Sequence, residues 1–310
     1  MRAAVLHSHG AAPRIGDFDD PQEQAGCALV DVAAAGLHHL DLHKASGSFY
    51  TGPPPLPSVV GTDGVGRLGD GTRVFFDESV PPYGSMAERT LVPRDALLPV
   101  ADGVADEVAA ALGNTGLGGW LAVEWRSGLK PGETVLVLGA TGAVGSVVVQ
   151  AARLLGAGRV VAADLPSERL HRLAADAVVE IDERDDLAER FKDAAGGAVD
   201  VTIDMLWGPP ALAAMQAAAR FARHVEVGNM AAPEIVLPAP LIRSASLDVR
   251  GFSVAQPPLE LKRDAYLRLT KHAADGDIAI DVERRPLEEV ADAWERQRQA
   301  AGGPKTVLVP

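Results

Sequence analysis

Hydrophobic positions along the chain fall into two textures, and the change comes near residue 113. Before it, apolar runs are short (28–33, 73–76, 90–92) and are separated by turns rich in glycine and proline, such as Gly52-Pro-Pro-Pro-Leu-Pro57. Short extended runs closed by turn residues predict a mostly β domain. From residue 109 to about 249, strand-like runs at 134–138, 160–163, 199–203 and 225–227 alternate with predicted helices near 146–155, 167–175, 185–195 and 209–221. That alternation predicts a parallel, doubly wound sheet, and the fold class is α/β. Beyond Gly251, helices are predicted at 259–274 and 287–301 and a last strand at 305–309. These elements do not extend the alternation. They read as the chain returning to complete the first domain, 1–113 with 252–310, around an inserted domain at 114–251.

The most specific local pattern is Thr134-Val-Leu-Val-Leu-Gly-Ala-Thr-Gly-Ala-Val-Gly145. An apolar strand breaks into a glycine turn and opens an amphipathic helix, so unpaired helical N–H groups face whatever approaches the turn. Gly142 would let the backbone come close to a pyrophosphate, and Gly145 would let the helix pack close on the strand, which implies a dinucleotide ligand. The fingerprint is A-x-G-x-x-G, with Ala140 where the first glycine is usual. Asp164 ends the next strand 19 residues after Gly145, about where a carboxylate that binds ribose is expected. It could instead cap the helix that begins near Ser167.

Composition narrows the function classes. With 310 residues, 47% of them hydrophobic, the chain can bury two domain cores. A formal charge of −13, with no basic run, argues against a nucleic-acid partner. The N-terminus lacks the apolar core of a signal peptide and no apolar stretch is long enough for a membrane span, so a cytoplasmic location is expected, with no membrane partner. The single cysteine, Cys27, permits no internal disulfide and no all-cysteine zinc site. It is expected to be an inert buried thiol.

Several ordered motifs resemble the medium-chain dehydrogenase/reductase superfamily, within it the zinc-free, quinone-oxidoreductase-like branch. They are Met1-Arg-Ala-Ala-Val-Leu6, Val32-Ala-Ala-Ala-Gly-Leu-His-His-Leu-Asp41, Val60-Gly-Thr-Asp-Gly-Val-Gly66, Tyr83-Gly-Ser-Met-Ala-Glu88, Gly113-Asn-Thr-Gly-Leu-Gly-Gly-Trp-Leu-Ala122, the stretch from Lys130 through Gly145, Val199-Asp-Val-Thr-Ile-Asp204 and Lys305-Thr-Val-Leu-Val309. The resemblance implies a GroES-like catalytic domain plus an inserted Rossmann domain, a nicotinamide in the cleft between them, and a homodimer joined through the Rossmann sheets. Leu247-Asp-Val-Arg-Gly251 looks like the edge strand of that dimer. An edge capped within a monomer is the alternative.

In zinc-dependent members the catalytic ligands fall at the positions held here by His38, Thr62, Asp63 and, nearby, Asn114. Both cysteines and the histidine of that set are missing, so no metal site is carried over. The segment His38-His-Leu-Asp-Leu-His43 with Asp63 could in principle rebuild a nitrogen and oxygen site. If the segment is strand-like, however, His38 and His39 point to opposite faces. Some of these histidines could equally line a substrate cleft and the others be solvated.

Hydride transfer without a metal suits quinones and α,β-unsaturated carbonyls, because no Lewis acid lowers the pKa of an alcohol. The expected activity is therefore NAD(P)H-dependent, zinc-independent reduction of such an acceptor. The alternatives are a biosynthetic enoyl or carbonyl reductase for one metabolite, or a non-catalytic nucleotide-binding or redox-sensing relative. Candidate proton donors are His38, His43 and Tyr50, while Asp41 reads as a structural anchor. Cofactor-binding candidates are Thr141, Gly142, Ala143, Val144, Gly145 and Asp164 at the turn, Gly228 and Asn229 at a strand end, and Phe252 and Ser253 after the edge strand. Asn114 and Thr115 are candidates for the nicotinamide carboxamide. Asp164 favours NAD(H) over NADP(H), since a 2′-phosphate would meet a like charge; Arg169 keeps NADP(H) open. Trp207 lies near the adenosine or simply packs.

Overall fold

A computed structural model describes residues 1–49, 52–184, 186–299 and 303–310. Two compact units are present, Met1–Leu117 with Pro258–Pro310, and Gly118–Pro257. The unit limits lie a few residues beyond 113 and 252. Helical turns at Leu112–Leu117 continue the preceding helix and pack with the first unit, while Phe252 donates its N–H to Glu226 of the second.

The first unit opens with strands β1 (Arg2–Leu6), β2 (Arg14–Asp17) and β3 (Cys27–Gly36), helix α1 (His39–Ala45), and strands β4 (Ser58–Val59), β5 (Gly64–Arg67), β6 (Arg73–Phe76), β7 (Arg89–Pro93) and β8 (Leu98–Pro99), followed by helix α2 (Asp106–Ala111). The second unit holds α3 (Gly118–Leu121), β9 (Thr134–Leu138), α4 (Ala143–Leu154), β10 (Arg159–Asp164), α5 (Glu168–His171), β11 (Ala177–Glu180), α6 (Leu187–Ala195), β12 (Val199–Asp204), α7 (Gly208–Gln216), β13 (Ala218–Glu226), α8 (Ala239–Ala245) and β14 (Asp248–Gly251). The chain then returns to the first unit with α9 (Leu259–Asp275), β15 (Val282–Pro286), α10 (Val290–Gln299) and β16 (Lys305–Val309).

In the first unit the main sheet runs β15-β16-β3-β5-β6-β8, with β7 also paired to β3, beside a small sheet β2-β1-β4. Strand β16 pairs parallel with β15, opposing Lys305 to Val282, and antiparallel with β3. Because β16 lies between them, the last residues of the chain are built into the same sheet as residues 27–36. Leu6, Val30, Phe76, Met86, Trp294 and Leu308 share its core and are buried.

The second unit is a six-stranded parallel sheet in the order β11-β10-β9-β12-β13-β14. Sequence order reverses between β9 and β12, which makes the carboxyl ends of those strands the place where open α/β sheets bind ligands. Central β9 is buried from Val135 to Leu138, as parallel strands covered on both faces are. This is the doubly wound, Rossmann-type sheet, and β14 is its edge.

Several predicted elements differ. The 167–175 helix is a single turn, α5, capped at its start by Ser167, which accepts from Leu170 N–H at 3.2 Å, before the chain turns into β11. Strand β11 was missed: its four residues, Ala-Val-Val-Glu, are too short a run to show a period. The 209–221 helix stops at Gln216, and β13 is nine residues long rather than 225–227. There pairing with β12, which contains a register shift between Val199 and Val201, overrides the helix preference of the alanines. Residues 39–45 form a helix with His38 as its N-cap, not a strand-like segment. Asp41 stabilises its first turn by accepting the His38 N–H at 2.8 Å. Cys27 is half-buried rather than buried.

Candidate active site

Two clusters, one in each unit, contain most of the candidate residues. In the second unit the glycine turn links β9 to α4. Gly142 is the N-cap of α4, and the first-turn N–H groups of Ala143, Val144 and Gly145 precede any intrahelical acceptor. A Cβ on Gly145 would stand 2.2 Å from the Gly139 carbonyl oxygen and 2.7 Å from Ala140 Cα. Only glycine lets the helix sit this close to the strand end.

Asp164 faces the same turn. Its Oδ2 accepts the Thr141 N–H at 2.8 Å and the Thr141 hydroxyl at 2.6 Å, and Oδ1 accepts the Leu165 N–H at 2.8 Å. The carboxylate therefore braces the glycine turn and does not cap α5; Ser167 does. Half-buried Arg169 lies on α5, beyond Asp164.

At the end of β13, Gly228 donates its N–H to the Asp204 carbonyl at 3.2 Å, and exposed Asn229 follows it. Phe252 is buried and packs edge-on to Trp125 at 6.3 Å, with half-buried Ser253 next. The adjacent strands β12 and β13 hold a side-chain pair that the sequence did not reveal. Asp204 Oδ2 pairs with His224 Nε2 at 2.9 Å, while Oδ1 accepts the N–H groups of Leu206 and Trp207 at 2.8 and 2.9 Å. Desolvation, with Asp204 as a second cause, pushes the Glu226 carboxyl above the usual carboxylate range. Trp207, with φ at 57°, packs edge-on to His224 at 6.1 Å.

In the first unit His38, the N-cap residue of α1, is buried. Its Nε2 lies 2.7 Å from Asp63 Oδ1, and Asp63 Oδ2 accepts the Asn114 N–H at 2.7 Å. His38 Nδ1 lies 2.8 Å from Lys305 Nζ and 3.4 Å from the Thr115 hydroxyl. Asp41 also accepts the Thr62 hydroxyl at 2.6 Å, and Lys44 donates to Thr62 at 3.2 Å. The structure thus joins His38 to Asn114 through Asp63 and brings Thr115 to the other ring nitrogen of His38, and the anchoring role expected of Asp41 is visible.

A family model described as a zinc-binding dehydrogenase matches residues 143–270. An alcohol dehydrogenase of Geobacillus stearothermophilus is 26% identical, with 99% of each chain covered. A quinone oxidoreductase of Pseudomonas syringae superposes with a TM-score of 0.87 at 25% identity, covering 100% of both chains. The quinone oxidoreductase of Escherichia coli, solved in complex with NADPH, has the same fold, with a TM-score of 0.88 at 24% identity and 100% of both chains covered. The chain belongs to the medium-chain dehydrogenase/reductase superfamily.

In this oxidoreductase superfamily member the zinc named by the family model meets an unsuitable donor set. The places that the resemblance assigns to zinc ligands all lie outside the matched residues. His38 has both ring nitrogens engaged, Thr62 is bound by Asp41 and Lys44, and an ammonium group stands against the imidazole. The Lys305 cation would repel a metal ion placed there, so the residues do not fit a catalytic zinc.

His43 is not part of the His38 cluster. With His39, four residues earlier on the same helix face, it lines a cavity of about 360 Å³ with Gly10, Ala11, Trp294 and Arg298. Burial is the main cause holding the His39 imidazole below its usual range, with neighbouring positive groups adding to it. Tyr50 lies outside the described residues. Lys305 was the largest omission at the site, because it belonged to a motif read only as a terminal strand. Its position, 267 residues from His38 along the chain, gave no local signal.

Proposed function

We propose that this protein is a zinc-independent, NAD(P)H-dependent reductase that delivers hydride to a quinone or an α,β-unsaturated carbonyl. The observation that carries the reading is the phosphate cradle of the second unit. The Gly142–Gly145 turn offers a helix N-terminus to an anion, and Asp164 braces Thr141 beside it. A nicotinamide supplies the hydride when bound. The chain's own part is to orient it, exclude water and stabilise charge on the acceptor.

Asp164 supports NAD(H) over NADP(H), since a 2′-phosphate near this carboxylate would be repelled. Asn114 and Thr115 are proposed to hold the carboxamide, and Gly228, Asn229, Phe252 and Ser253 to border the cofactor. Of the proton-donor candidates, His43 is favoured by its place on a cavity wall. His38 is already engaged at both ring nitrogens. The available edge of β14 supports a homodimer formed by continuing the sheet, which sedimentation would detect.

Fluorescence titration with NADH and NADPH tests the cofactor, and turnover with a panel of quinones, enones and enoyl thioesters tests the reaction. NADH binding with oxidation by quinones or simple enones is expected. Oxidation only by a particular enoyl substrate would make the protein a biosynthetic reductase. Binding without oxidation would make it a nucleotide-binding protein, and failure of both nucleotides to bind would defeat the reading.

A further inference from the structure

We propose that Lys305 is a positioning residue of the site, its ammonium serving as the resident cation that holds His38 with hydrogen on Nε2 and keeps Asp63 ionised. This deepens the reading above and rests on it for its catalytic consequence. Lys305 donates to the Leu37 carbonyl at 2.6 Å as well as facing His38 Nδ1 at 2.8 Å, and it is buried. An ammonium has donors and no acceptor, so the ring nitrogen facing it must present a lone pair. Hydrogen then belongs on Nε2, which points at Asp63 Oδ1. The direction of each bond follows from the chemistry of its neighbour. One imidazole thus separates a buried cation from a buried anion, and Asp63 passes the constraint to the backbone of Asn114.

The surrounding charges agree with this assignment. Asp41 faces the cluster and adds negative potential, while His39 faces it as a partly buried imidazole. Lys44 is turned to Thr62. On the packed elements, Asp106 and Glu107 of α2 pair with Arg73 and Arg284, and Glu283 of β15 pairs with Arg285. The Tyr266 hydroxyl of α9 donates to the Ala109 carbonyl. Asp63 is fully buried; against desolvation, which raises its carboxyl, the His38 hydrogen bond, the Lys305 charge and the Asn114 N–H together hold it below the usual range. A Cβ on Gly113 would stand 2.7 Å from Asp63 Oδ2, so no side chain intervenes between that carboxylate and the Asn114 turn.

The experiment is ¹⁵N NMR of the His38 ring in the full-length, cofactor-free protein at pH 7, assigned with His38→Gln. The expected result is a neutral ring with hydrogen on Nε2. A doubly protonated ring, or hydrogen on Nδ1, would overturn the proposal, whether or not the protein proves to be a reductase. In Lys305→Met the ring is expected to take a second proton, because Asp63 then has no other buried cation. Turnover should fall roughly ten- to hundredfold as the Asn114 segment loosens, with an altered pH profile and with NADH still bound at the phosphate cradle. Lys305→Arg should restore the neutral ring and part of the turnover. A Lys305→Met protein with the wild-type ring state and pH profile would also defeat the assignment; should that variant not fold, the wild-type ring and Lys305→Arg decide it.

Discussion

Replacing Gly145 by alanine separates two roles of the glycine turn. The new Cβ would stand 2.2 Å from the Gly139 oxygen and 2.7 Å from Ala140 Cα, both backbone atoms that cannot rotate away. Restoring ordinary contact requires α4 to retreat from β9 by roughly 1 Å, and overpacking of this kind costs about 1–3 kcal/mol, at the upper end where backbone must move. Alanine returns about 1 kcal/mol of helix propensity. The net loss is then about 2 kcal/mol, which in a unit of this size corresponds to roughly 6–10 °C in Tm. Since the retreating helix carries the N–H groups of the cradle, NADH affinity should fall with stability. Gly142→Ala is the control: its Cβ meets nothing closer than 3.4 Å, so stability should change by less than about 1 kcal/mol. Its methyl group would nevertheless stand at the approach to the anion, so affinity should drop. Calorimetry and fluorescence titration of both variants read the two effects. A Gly145→Ala protein with wild-type Tm and NADH affinity would refute the close-packing argument.

Further predictions address other parts of the molecule. Asp164→Gly should weaken NADH and strengthen NADPH; an unchanged ratio would show that Asp164 does not read the ribose. Burial lowers the Lys305 amine to about 8 from an unfolded value of 10.5. Between pH 8 and about 10 the unfolded chain therefore binds more protons, and Lys305 makes stability rise with pH, by up to ~3 kcal/mol if its titration were complete. Urea unfolding of wild type and Lys305→Met across that range should show the rise in wild type alone. Phe191→Ala, in the core of the second unit, should cost about 3–5 kcal/mol, measurable by the same unfolding assay; a loss under 1 kcal/mol would contradict its burial.

The second unit's pattern was legible because its chemistry is local. An apolar strand, a glycine turn and a helix start occupy consecutive residues, and the spacing to Asp164 follows from one helix and one strand. Even there, Thr141 was named without its partner, because a side chain reaching across the sheet leaves no mark in residue order. Short edge strand β11 and the early start of β13 escaped for a related reason: strand pairing, rather than intrinsic preference, decides such segments. At residues 38–43, a helix was not expected, although Asp41 lies three residues after His38 and accepts its N–H.

The sequence by itself determined the α/β class, the inserted alternating region and the glycine cradle with Asp164 near it, because these arise from periodicity and from bonds between residues close along the chain. The missing cysteines likewise pointed away from the zinc-dependent branch. Only the tertiary structure decided what stands against His38. Lys305 reaches His38 because β16 pairs with β3, and a buried ammonium so far along the chain from its anion is held there by sheet register and mutual charge compensation, neither of which has a local sequence signature.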